Sequence, residues 1–148
     1  MRIKTIAVLL IISFSSLNAQ QRVFGTHPSL ENKIGTRFPI EDYTNQKGEK
    51  FTPDALKGKN SLINFWSASC EPCIEELPYL NRLKERLGNK ANFIAITYDS
   101  HEKTAQFLSK REFNFLHITD SGKQLNSYFP LIRNLMTFIL DNRNHRNC

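Results

Sequence analysis

The sequence predicts an α/β fold in which helices flank a central sheet containing parallel strand pairs. Two observations carry this. Residues 61–66 and 93–98 are almost uncharged apolar runs of strand length, suited to strands buried on both faces. Between them, Ile74, Leu77, Leu80, Leu83 and Leu87 recur at helical spacing. Strands that alternate with helices imply βαβ crossovers and hence parallel pairing. A length of 148 residues suits one domain, and a charged fraction of only 23% beside 40% apolar residues excludes wholesale disorder.

The elements follow in order. Residues 36–43 alternate patchily, Asn45-Gln46-Lys47-Gly48 is a turn signal, and residues 49–52 return, which predicts a small hairpin. Thr52 is expected to cap one helical turn that begins at Pro53, and Gly58 ends it. A strand over 61–66 leads into a helix over 73–87 that stops at Gly88. A strand over 93–98, a helix over 102–113, a short strand over 115–118, a helical turn over 124–129 and a strand over 136–141 complete the pattern. Pro78 lies inside the long helix and should kink it.

Both ends depart from this core. Arg2 and Lys4 precede a continuous apolar run, Ile6 to Phe14, and Ser15 to Ala19 turns small and polar. This is the order of a secretory signal peptide with cleavage after Ala19, which makes the mature protein exported. The run is short for a membrane span, and no later stretch is long enough to form one. The organisation expected is a signal peptide at 1–19, a leader at 20–33, a domain at 34–141 and an irregular polar tail at 142–148. Loss of Arg2 and Lys4 takes the net charge from +6 to +4, and there is no run of five basic residues, so nucleic acid is not an expected partner.

Chemistry is concentrated in Trp66-Ser67-Ala68-Ser69-Cys70-Glu71-Pro72-Cys73. A buried strand leads in and an amphipathic helix leads out, which puts Cys70 at a helix N-terminus. Unpaired backbone N–H groups and the helix dipole there favour a thiolate. Pro72 fits the first helical position, where no N–H is needed. Cys73, one turn in, can attack a mixed disulfide formed on Cys70 and release the product. The pair closes too small a loop to staple a fold, and Cys148 is left as an incidental thiol. A c-type haem site needs His after the second Cys, but residue 74 is Ile. A structural zinc site needs two further ligands, and His27, His101, His117 and His145 are scattered. Neither a metal nor a cofactor is expected.

Three further residues are candidates. Glu76 follows Cys73 by three residues and shares its helix face, where burial would raise its pKa and allow proton exchange with a thiol. Glu75 should point elsewhere. Glu71, between the cysteines, opposes a Cys70 thiolate and biases the couple toward a reductant. Trp66 either shields the pair or packs in the core.

The chain resembles the thioredoxin superfamily and, within it, the TlpA/ResA group of exported reductants. Gly35, Phe38-Pro39, Gly48, Leu56-Lys57-Gly58-Lys59, Asn64-Phe65-Trp66, Cys70-Glu71-Pro72-Cys73, Glu76 and Pro78 carry the resemblance, which runs from about residue 34 to 141. It implies a thioredoxin-like fold, a central mixed sheet flanked by helices with an N-terminal β-hairpin. It also implies a periplasmic thiol-disulfide oxidoreductase, with a disulfide-containing protein as substrate, an upstream thiol reductant, and a Glu at position 76 that tunes the thiols. Two departures stand out. The group has a cis-proline before the strand that here reads Thr137-Phe138-Ile139-Leu140-Asp141; Leu135 occupies that place, where a trans bond is expected. The group also continues into another strand and a final helix, so a truncated C-terminus and an unpaired strand edge are expected. These departures leave a catalytically impaired or silent binding module as an alternative to the reductant, beside a thiol peroxidase.

Overall fold

The computed structural model describes residues 31–45, 47–129 and 135–142. The expected signal peptide, the leader up to residue 30, Pro130 and the tail from residue 143, with Cys148, lie outside them.

Four strands form one mixed sheet in the order β3-β2-β1-β4. The strands are β1, Asn60–Phe65, β2, Ala91–Ile96, β3, Leu116–Ile118, and β4, Met136–Leu140. β1 pairs parallel with β2 from Asn60↔Ala91 to Phe65↔Ile96, β2 pairs parallel with β3, and β4 runs antiparallel to β1. The helices are α1, Glu71–Leu87, α2, His101–Leu108, and α3, Gly122–Tyr128. This is the predicted α/β architecture, and the four strands expected over 61–66, 93–98, 115–118 and 136–141 are all present.

Side chains on the two faces of the sheet sort by strand alternation into two cores. Ile63 and Phe65 of β1 and Ile94 and Ile96 of β2 face one core, which includes Phe38, Ile40, Tyr43, Leu56, Leu125 and Phe129. Leu62, Trp66, Phe93 and Ala95 face the other, with Cys73, Leu77 and Leu80 of α1 and the aromatic rings of Phe113 and Phe115. The N-terminal segment and α3 therefore cover one face, and α1 covers the other.

Several elements differ from expectation in extent. The N-terminal hairpin is present in its smallest form, a single antiparallel bridge between Thr44 and Lys50. Asn45 closes the turn, its side-chain oxygen accepting from the N–H groups of Lys47 and Glu49. The preceding residues Ile40–Asp42 form a 3₁₀ turn and tuck Ile40 into the core instead of extending as a strand. Thr52 does precede a 3₁₀ turn, Pro53–Leu56, but its side chain makes no capping hydrogen bond. α1 is continuous through Pro78 and ends, as expected, at Gly88, whose φ of 52° is one that glycine adopts without strain. α2 ends at Leu108, short of residue 113, because Phe113 turns into the second core against Phe115 and Trp66, with ring centroids 4.6 and 5.4 Å away.

β4 is an edge strand: among the described residues it pairs on one side only, with β1, and Ile139 is 51% exposed. The residue before it, Leu135, lies at φ 69° and is 44% exposed, and its N–H donates to the Phe65 carbonyl at 3.2 Å. The described residues contain no cis peptide bond. A left-handed backbone costs a side-chain-bearing L-residue about 1–2 kcal/mol, and proline is locked near φ −65°. Leu135→Gly is therefore expected to raise the unfolding free energy by up to about 1 kcal/mol, the relief being partly offset by the greater freedom of the unfolded glycine chain. Leu135→Pro is expected to lower it. Urea unfolding of the three proteins checks both signs, and a stabilising proline would contradict the left-handed geometry.

Candidate active site at the carboxyl ends of β1 and β2

β1 and β2 end side by side, and the Trp66 N–H extends their ladder by donating to the Ile96 carbonyl at 3.2 Å. The chain leaving β1 makes a tight turn, with the Cys70 N–H donating to the Ser67 carbonyl at 3.1 Å, and then enters α1. Cys70 is the N-cap, in extended backbone conformation, and its carbonyl accepts the first helical bond from Ile74. Glu71 is the first helical residue and Pro72 the second, a position that also needs no N–H partner. Ligand-binding crevices in open α/β sheets lie at this end of parallel strands.

Cys70 and Cys73 are joined by a disulfide with Cα atoms 5.3 Å apart, a separation ordinary for this bond. Cys73 is buried, 2% exposed, within the second core, while Cys70 is partly exposed at its margin. The two sulfurs thus differ in access: an external group meets Cys70 first. Glu71 and Pro72 are both exposed beside them.

Glu76 lies one turn beyond Cys73 and is half-buried, and this burial raises its carboxyl pKa. Glu75 is exposed. Trp66 is 1% exposed, with its ring centroid 5.1 Å from Phe107, 5.4 Å from Phe113 and 5.5 Å from His117. It is a core residue of the same cluster that holds Cys73. Leu135 joins this end of the sheet through its bond to Phe65.

One group at this end was not among the expected residues. Asp99, 5% exposed, lies just beyond the end of β2. Its Oδ2 accepts from the Ser67 hydroxyl at 2.8 Å and from the Ala68 N–H at 2.7 Å. Its Oδ1 accepts from Lys103 Nζ at 2.7 Å, and the same ammonium donates to Ser69 Oγ at 2.8 Å. Burial alone would push the Asp99 pKa up, but the hydrogen bonds from Lys103, Ala68 and Ser67 and the Lys103 charge bring it below the usual range. The sequence signal was faint: an Asp at the end of a buried strand with Lys four residues on, at the start of a helix.

Among the described residues no three His, Cys, Asp or Glu side chains are grouped to hold a metal, and no helix is long and apolar enough to cross a membrane.

Comparison with known proteins agrees with this geometry. Over 142 residues the chain is 25% identical to the thioredoxin-like protein YneN of Bacillus subtilis, covering 93% of this chain and 82% of that one. Over 139 residues it is 27% identical to the thiol-disulfide oxidoreductase ResA of Bacillus cereus, covering 92% and 79%. A secreted Mycobacterium tuberculosis disulfide oxidoreductase homologous to E. coli DsbE superposes with a TM-score of 0.59 at 21% identity, over 72% of this chain and 78% of that one, a likeness of fold. Residues 34–145, well over half the chain, match the model of the AhpC/TSA family, and the chain belongs to that family.

Proposed function

We propose that the chain is an exported thiol-disulfide oxidoreductase that reduces protein disulfides through Cys70 and Cys73. The observation that carries this is the disulfide between a partly exposed helix N-cap and a buried residue one turn on, at the carboxyl ends of two parallel strands. Similarity to proteins named as thiol-disulfide oxidoreductases over more than nine-tenths of the chain supports it.

In the reduced protein, Cys70 is the nucleophile. Its thiolate attacks one sulfur of a substrate disulfide, an S–S bond forms to Cys70, and the other substrate sulfur leaves as a thiolate. Cys73 then loses its proton and attacks the Cys70 sulfur, which expels the second substrate sulfur and closes the Cys70–Cys73 disulfide. Two electrons and two protons pass to the substrate in total, and an upstream thiol reductant restores the pair. Glu76 accepts the Cys73 proton; a carboxyl with a raised pKa is better matched to a thiol than an ordinary one. Glu71 opposes the Cys70 thiolate and favours the reducing direction. Pro72 fixes the backbone of the first turn, and Trp66 packs beneath the pair. Engagement of both cysteines with each other favours exchange over peroxide reduction through a single cysteine. The domain spans residues 34–141, preceded by a leader and a signal peptide that directs the protein to the periplasm.

Three outcomes follow. The mature protein should begin at or near Gln20, and N-terminal sequencing that finds Met1 on the exported fraction would count against cleavage. After reduction, Cys70 should alkylate faster than Cys73 at neutral pH. Cys73→Ser should accumulate mixed disulfides with substrate, visible by mass, whereas Cys70→Ser should not; the reverse pattern would exchange the two roles.

Glu76→Gln should slow disulfide reduction at least about tenfold and flatten its pH profile, because a positioned proton acceptor contributes ~10²-fold or more. Glu75→Gln should do little. The same carboxyl sets a sign for stability. Its folded pKa is raised, so its contribution is present below the unfolded value and is lost as pH rises through the folded one. Glu76→Gln should therefore gain stability over the unmodified chain at neutral pH, with the gap closing in acid. Identical pH profiles for the two Gln variants would assign Glu76 to an ordinary helix surface.

A further inference from the structure

Three segments meet at the Asp99 carboxylate: the loop that delivers Cys70, the end of β2 and the first turn of α2. Its partners Ser67, Ala68 and, through Lys103, Ser69 are the three residues directly before Cys70. The carboxylate is almost fully enclosed, whereas the Lys103 side chain is 44% exposed. The ammonium is thus held on the hydroxyl of Ser69, the residue before Cys70, by an anion that is itself locked to the loop.

We propose that Asp99 and Lys103 are positioning residues for Cys70: Asp99 fixes the approach loop and Lys103 presents a cation beside it, so the two charges set Cys70 acidity in opposite senses. The inference rests on the assignment of Cys70 as nucleophile and deepens it.

A cation near a thiol favours the thiolate, and an anion opposes it. Among the described residues, the first two turns of its own helix carry Glu71, Glu75 and Glu76, whose carboxylates oppose the thiolate. Asp120 caps α2 by accepting the His101 N–H at 3.0 Å. His117, packed against Trp66, is pushed toward its neutral form by burial and by the Lys84 charge, despite its hydrogen bond to the Phe113 carbonyl, and adds no charge where a thiol titrates. Lys103 is therefore the one cation that the described contacts place at the loop leading to Cys70.

The test is the rate of iodoacetamide modification of the reduced full-length protein as a function of pH, with the modified cysteine located by mass spectrometry. It is run on the unmodified chain and on Lys103→Met, Lys103→Arg and Asp99→Asn. Lys103→Met should move the Cys70 pKa upward by about half a pH unit, the scale expected of a partly exposed charge. Lys103→Arg should restore it, and Asp99→Asn should move it downward. A purely structural strut would loosen the loop in both cases and move the pKa the same way in both. If Cys70 reacts first but its pKa is unmoved by Lys103→Met, or the two charge removals shift it in one direction, the proposal is overturned while the nucleophile assignment stands. If Cys73 reacts first in the unmodified chain, the assignment falls and the proposal with it. Should Asp99→Asn fail to fold, the Met and Arg variants of the exposed Lys103 decide alone: equal pKa values in those two variants overturn the proposal.

Discussion

A strand that is hydrogen-bonded on both edges and packed on both faces has almost no freedom left, and β1 is such a strand. It pairs with β2 on one side and with β4 on the other, and its inward residues are divided between two cores. Every group of the site is placed relative to its end. Trp66 continues its ladder, Ser67 to Ser69 turn from it, Cys70 opens α1 directly after it, and Leu135 is bonded to its last carbonyl. A backbone anchored so firmly gives the loop that carries Cys70 a fixed point of departure. Even the polar residue within it, Asn64, is satisfied by donating to Thr137 Oγ1 across the β1–β4 pair.

Where the strand stops, Asp99 takes over. A buried carboxylate is costly unless its lone pairs are filled, and here a hydroxyl, a backbone N–H and an ammonium fill them. Because those donors belong to the loop before Cys70 and to α2, satisfaction of the charge and placement of Cys70 are one event. Local polar satisfaction thus does for the loop what sheet pairing does for β1.

The strands and the long helix were legible in the sequence because their signals are local. The uncharged run at residues 61–66 and the Leu77, Leu80, Leu83 spacing need no knowledge of what they pack against. The CxxC was legible for the same reason. Elements whose extent depends on distant partners were read less well. Phe113 fits a helical period, but Trp66 and Phe115 draw it into the core, so α2 ends earlier. Ile40 fits an alternating strand, yet the core is reached by a tight turn. The hydrogen bonds of Asp99 to Ser67 and Ala68 span more than thirty residues of sequence, and no spacing rule points to such a contact. Leu135 was identified as the residue in the proline's place, but its left-handed backbone is a property of the path into β4.

The sheet also acts as a partition, with consequences for how the molecule can change. The core built from Phe38, Ile40, Tyr43, Leu125 and Phe129 lies wholly on the face away from Cys73. Substitutions there alter how firmly the domain is folded while leaving the surroundings of the thiol pair untouched, and sites without shared neighbours combine close to additively. Variation on the Trp66 and Leu77 side alters folding and reactivity together. A lineage, or a designer, can therefore accumulate robustness through the first face and spend that reserve on experiments in chemistry at the second.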